Sequence, residues 1–223
     1  MLYFLLYTVF SILDPYEKPS CLSNINCPDS IDSILNSISE KQFCGCKYQN
    51  SKTKIAPNVK RIPLYAFYGA IIEEMKLNSE IESIGEGAFG NCTIKLNISE
   101  LVNLKTIEDG AFYGANVSSI IIFPQNIDTI GSYAFANMTT LEKSLIRCKT
   151  IKSNAFLGCY NMKCEKIEIY GSGSIQEHSF HDSYQLNGIL IVHEANEKDS
   201  TNNQLILSTI EISAFQNSGI QKV

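Results

Sequence analysis

The 223-residue chain is poor in the groups that most chemistry needs. It has three histidines: His178, His181 and His193. No G-x-S-x-G elbow, phosphate-binding glycine loop or H-E-x-x-H stands anywhere in it. His178-x-x-His181-Asp182 offers a weak metal pattern, but its histidines fall at variable positions of the repeat described below, so no metal or cofactor is expected. Carboxylate pairs such as Glu73-Glu74 are adjacent on a polar stretch with no sign of a pocket. The sequence thus supports no enzyme. There is also no basic run, and the net charge is −5, which leaves affinity for a phosphate backbone without an electrostatic basis. Long apolar runs are missing as well. Leu2 to Leu13 spans twelve residues, too short to cross a bilayer comfortably, and no membrane-spanning or lipid-anchor tail follows.

What is present is a repeat. Phe67, Phe89, Phe112, Phe135, Phe156, Phe180 and Phe215 are spaced 22, 23, 23, 21, 24 and 35 residues apart. Each has an isoleucine five residues earlier: Ile62, Ile84, Ile107, Ile130, Ile151, Ile175 and Ile210. A small residue precedes every Phe (Ala66, Ala88, Ala111, Ala134, Ala155, Ser179 and Ala214). Two residues after it stand Gly69, Asn91, Gly114, Asn137, Gly158, Asp182 and Asn217, the types that tolerate positive φ, as at the close of a short helical turn. A second apolar point lies three residues before the isoleucine in most copies: Val59, Ile81, Leu104, Ile127 and Leu207. A short strand follows the turn, with inward triplets Ile72/Met75/Leu77, Val117/Ile120/Ile122, Leu141/Ser144/Ile146, Cys164/Ile167/Ile169 and Leu186/Ile189/Ile191.

A period in the low twenties is the mark of a solenoid. One coil gains roughly 1.5–3 kcal/mol for each of about five buried side chains. It loses about 1–2 kcal/mol per residue in backbone entropy. Coils must therefore stack, and the rings should form a column down the stack at parallel-strand spacing.

Residues 14–54 lack this unit and hold Cys21, Cys27, Cys44 and Cys46. Between the cysteine pairs, Ile31, Ile34, Leu35 and Ile38 fall at helical spacing after the N-cap candidates Asp29 and Ser30. The expected structure is a helical cap over the open end of the first coil, tied by disulfides joining Cys21 and Cys27 to Cys44 and Cys46 in either order. Zinc is the alternative, though the spacing does not match the usual one. Cys92 and Cys159 are three coils apart and cannot pair. One pair among Cys148, Cys159 and Cys164 stays open.

Residues 1–13 read as a signal-peptide core, with a buried cap segment as the alternative. Eight cysteines, and the sequons at Asn91, Asn97, Asn116 and Asn137, agree with export. Residues 55–223 form the solenoid of about seven coils, the last incomplete. The polar run 194–203 reads as an inserted loop, either a binding element or a loop without a role.

The repeated I-x-x-I-x-x-x-A-F-x-G/N-C, with Ile81 to Cys92 as the fullest copy and Ile122-Phe123-Pro124 as a strand exit, resembles the BspA-type leucine-rich repeat. Ser172 and Cys148 depart from it. The resemblance implies an α/β leucine-rich-repeat solenoid, curved and right-handed, and a secreted or cell-surface protein with a role in adhesion.

With the triplets inward, coils three to six should present Ile121, Phe123, Leu145, Arg147, Tyr170, Leu190 and Val192 on the outer face of the strands. Aromatic, aliphatic and Arg groups together make a protein-binding surface. The expected partner is a protein or another extracellular macromolecule. A structural spacer or truncated family copy is the alternative.

Overall fold

A computed structural model of the protein describes residues 19–22, 27–117, 123–124, 127–141, 143–192, 209–211 and 213–219. The expected signal segment 1–13, Ile121 and the run 194–203 lie outside these residues. The described strands, in chain order, are β1 (Ile34–Leu35), β2 (Lys47–Ile55), β3 (Arg61–Ile62), β4 (Ile71–Lys76), β5 (Ser83–Ile84), β6 (Thr93–Leu96) and β7 (Thr106–Ile107). They continue as β8 (Asn116–Val117), β9 (Ile127–Ile130), β10 (Lys143–Ile151), β11 (Lys163–Ile175), β12 (Ile189–Val192) and β13 (Thr209–Ile210).

Every pairing is parallel, in two sheets. One runs β1-β2-β4-β6-β8; the other runs β12-β11-β10-β9-β7-β5-β3, with β13 also on β11. The register follows the isoleucine column without a slip. Ile62 pairs with Ile84, then Ile107, Ile130, Ile151, Ile175 and Ile210 in turn. All but the terminal Ile210 are wholly buried.

The rings stack as expected, and there is one more than expected. Phe43 lies on Phe67 at 5.2 Å between centroids, with 4° between the ring planes. The column continues through Phe89, Phe112, Phe135, Phe156, Phe180 and Phe215 at 4.9 to 5.4 Å, each pair stacked. That spacing is the inter-strand distance of a β-ladder, slightly widened.

Phe43 overturns the helical cap. Among the described residues of 27–54 there is no helix. Ile31 and Leu35 are buried, Ile34 is 52% exposed, and Leu35 pairs with Ile55 across β1 and β2. Lys54 N–H donates to Ser33 O and Ala56 N–H to Leu35 O. A lone helix of about ten residues is marginal in water, whereas the open edge of β2 offers ladder bonds to whatever lies beside it. The cap is thus a coil of the solenoid. Ile38 stands five residues before Phe43, and Gly45 takes φ +71° two residues after it. Its two disulfides, Cys21–Cys44 and Cys27–Cys46, follow the expected pairing of the four cysteines.

The helical turn in each coil is also corrected. From Gly85 to Cys92, alternate N–H groups close three-residue turns within the coil, as Ala88 to Gly85 O and Gly90 to Gly87 O. The N–H groups of Gly87, Phe89 and Asn91 instead cross to Asp109, Ala111 and Tyr113 of the next coil. A helix would spend all its donors internally and lose these rungs. The alternation requires two residues of positive φ per coil, one on each side of the Phe. The earlier column comprises Lys41, Tyr65, Gly87, Gly110, Tyr133, Asn154, His178 and Ser213. The residue before the Phe is buried in every repeat from Ala66 to Ala214, so only Ala or Ser fits.

Candidate functional site

The outer face of β10 and β11 holds three of the six described residues expected to bind a partner: Leu145, Arg147 and Tyr170. Period two along each strand puts alternate residues outward. The register sets Leu145, Lys166 and Ile189 in one row and Arg147, Glu168 and Ile191 in the next. Leu145 is 40% exposed and Ile189 67%. The Arg147 guanidinium lies 5.5 Å from the centre of the Tyr170 ring, and its Nε is 3.7 Å from Glu168 Oε2. Glu168 also meets Lys166 Nζ, and Tyr170 donates its hydroxyl to Ile127 O at 3.3 Å. Burial of the Tyr170 phenol raises its pKa, with Arg147 pulling the other way. The arginine therefore lies over an anchored ring and beside Glu168, which limits the entropy it would lose on contact.

Three expected members, Phe123, Leu190 and Val192, do not face outward. Phe123 is buried and stands edge-on to Phe135 at 5.0 Å and Phe156 at 6.0 Å. The ring turns into the core beside the buried Pro124. Leu190 also faces inward, packed on the core opposite Ile167. From Phe180 to Leu190 is ten residues, but from Phe156 to Ile167 is eleven. The coil from Phe180 thus reaches the inward row one residue sooner than the coil before it, and this shift reverses the inward assignment of Ile189 and Ile191. Val192 lies opposite the inward Ile169, and its 40% exposure comes from its place on the edge strand. Ile189 and Ile191 are the outward residues that the period-two reading missed, and the shorter span after Phe180 is what shifts them.

The sequon asparagines differ from one another. Asn91 and Asn137 have positive φ and spend their amide nitrogens on Tyr68 Oη (2.6 Å) and Tyr113 Oη (3.1 Å). Asn97 Oδ1 accepts from Ser99 N–H at 2.9 Å. Asn116 is exposed in β8 itself, not in the turn after the Phe.

Cys92, Cys148, Cys159 and Cys164 are all free and buried. No pair forms among the last three, because Cys148 lies opposite Ile169 while Cys164 lies opposite Ser144. Burial raises the Cys92 and Cys148 thiols far above their usual range and pushes Cys159 up to about 12. They pack as small apolar groups. Among the described residues no three His, Cys, Asp or Glu are placed to hold a metal ion. His178 has a structural reason to be where it is, as a positive-φ residue before the Phe. Among the described residues, no helix is long and apolar enough to cross a membrane.

The model of the BspA type leucine rich repeat region matches in six copies, over residues 16–142, 60–187 and 105–223. Among solved structures, the chain is similar to a leucine-rich cell surface protein from Faecalibacterium prausnitzii A2-165, with a TM-score of 0.54 and 17% identity. That match covers 78% of this chain and 46% of the other, so this chain spans about half the length of that protein. No curated protein matches. The stacked phenylalanines, the in-register isoleucines and the six matched copies together place this chain in the BspA-type leucine-rich-repeat family.

Proposed function

We propose that this protein is an extracellular binding module that takes a protein partner on the outer face of β10–β12, in the manner of an adhesin. One observation carries the reading. Leu145 and Ile189 are solvent-exposed apolar residues on either side of Lys166, one row from an arginine that lies over a tyrosine ring, on a sheet whose inner residues Ile146, Ile167 and Ile169 are buried. Exposed apolar groups beside a pre-ordered Arg and Tyr are what a binding surface needs and what an inert one avoids. Two disulfides agree with an oxidising compartment. Glycans on Asn97 and Asn116, whose amide nitrogens make no bond within the described residues, would leave that face open.

Surface plasmon resonance of the oxidised protein over purified fibronectin, laminin and collagen tests this. At least one surface should bind, and L145S/Y170S/I189E should weaken that binding more than tenfold with an unchanged melting temperature. Undiminished binding by the triple variant would place the contact elsewhere and end the proposal.

A further inference from the structure

Charges on adjacent coils of this solenoid are arranged to cancel. Seven residues before each Phe stand Lys60, Glu82, Lys105, Asp128 and Lys149, alternating in sign over five coils. Lys60 Nζ meets Glu82 at 3.0 Å, and Lys149 Nζ meets Asp128 at 3.3 Å. On the outer face of β2, β4 and β6, Lys52 pairs with Glu73 and Glu74, and Lys95 also reaches Glu74.

The next row breaks the rule. Lys54 lies directly opposite Lys76 in the β2–β4 register, both exposed, one strand spacing apart. Neither makes an ion pair among the described residues. Like charges directly opposite are destabilising, and no packing explains them here because both side chains leave the sheet. They border a depression of about 340 Å³ that includes Ser33, Thr53, Lys52 and Glu74. The Ser33 hydroxyl, on the neighbouring strand side, has no partner among the described residues. Glu74 would repel an anion, but its charge is shared between Lys52 and Lys95, and the five lysines of β2, β4 and β6 outnumber their two glutamates.

We infer that Lys54, Lys76 and Ser33 bind a tetrahedral oxyanion, a sulfate or phosphate group. Two ammonium groups side by side carry six donors that point in several directions, which suits a tetrahedral acceptor better than a planar carboxylate. The site is on the N-terminal sheet, away from β10–β12, and stands whether or not that face binds a protein.

The test is a titration of the labelled, oxidised protein with sodium sulfate, followed by amide chemical shifts at constant ionic strength with chloride as the control. Saturable shifts should appear at Ser33, Lys54 and Lys76. K54Q and K76Q should each weaken binding at least fivefold. K54R should retain it, and K149Q should leave it unchanged. Equal affinity in K54Q and K76Q, or uniform drift at every lysine, would overturn the site. A heparin-derived tetrasaccharide then separates the sources. Binding at least tenfold tighter than sulfate, lost in K54Q, assigns the group to a sulfated sugar, and equal binding assigns it to the free ion. No binding of either probe overturns the proposal.

Discussion

The two halves of the solenoid use the same column of rings but turn their corners differently. In the N-terminal half each coil bends between its two strand positions, and an asparagine makes the bend. Asn78 accepts from Glu80 N–H at 2.7 Å and donates to Ala56 O and Val59 O. Asn97 accepts from Ser99 N–H, and Asn58 donates to Asn36 O of the coil beneath. An Asn side chain that bonds to its own backbone two residues on ends a strand, so two separate sheets result. In the C-terminal half that asparagine is missing. Arg147-Cys148-Lys149 and Tyr170-Gly171-Ser172 stand there instead, and β10 and β11 run continuously through both strand positions. The added length is taken up by bulges. β10 and β11 carry both strand positions of their coils in one strand, so the outward rows of the C-terminal half belong to the same sheet as its isoleucine column, whereas those of the N-terminal half lie on a separate sheet. Corner chemistry therefore decides whether a coil contributes to one sheet or to two.

Several changes would break or sharpen this contrast. The largest effect should come from the shared column. Phe112→Ala should cost about 3–5 kcal/mol, because the ring is sandwiched by Phe89 and Phe135. Phe215→Ala, on the half-exposed last coil, should cost far less, and urea melts compare the two. Reducing the two disulfides, which close spans of 23 and 19 residues, should remove about 2–4 kcal/mol from the first coil. Hydrogen exchange should then show protection lost around Phe43 and kept around Phe156.

Gly114→Ala should destabilise by roughly 1–3 kcal/mol, because φ is +60° and a new Cβ would sit 2.4 Å from Asn91 Oδ1. Gly171→Ala, at φ +70° with open space around it, should cost about 1 kcal/mol, the backbone term alone. Asn78→Ala should cost about 1–3 kcal/mol through the acceptors it leaves bare, while the same change at a residue of β10 would have no corner to open.

The smallest effect is one of pH. Burial lowers the pKa of His181, with the His178 imidazole acting in the same direction. Asp182 Oδ2 lies 3.2 Å from His181 Nδ1, but that nitrogen makes no hydrogen bond. A folded pKa below the unfolded value means the unfolded chain takes up the proton first. Stability is therefore full above about pH 6.5 and falls as the pH drops below it. Protection factors around Phe180, corrected for the intrinsic exchange rate, should fall as the pH drops below 6.5 in the native protein and not in His181→Gln.

The columns that are chemically narrow were legible in the sequence. Only Phe, Ile and Ala or Ser serve at the wholly buried positions, so the period and the inward register of most coils could be read directly. The first coil escaped notice because Gln42 stands where the others carry Ala or Ser. Its Oε1 turns back to accept from Ser39 N–H at 2.8 Å, a solution open to a coil at the end of the stack. The second positive-φ column was illegible for a different reason. Tyr65, Tyr133 and His178 hold that conformation because the rungs on either side demand it, and their side chains carry no sign of it. The outer face failed at Phe123, whose ring packs edge-on to two core phenylalanines, and at Leu190 and Val192, where β12 reaches the inward row one residue sooner after its Phe than β11 does.

The continuous column of eight rings is the claim on which the rest stands. Nuclear Overhauser contacts between ring protons, in protein labelled only at phenylalanine, test it most directly. The account predicts an unbroken chain of contacts in the order Phe43, Phe67, Phe89, Phe112, Phe135, Phe156, Phe180 and Phe215, with Phe123 touching Phe135 and Phe156 from the side. A Phe43 ring without a contact to Phe67, or a gap between any successive pair, would contradict it.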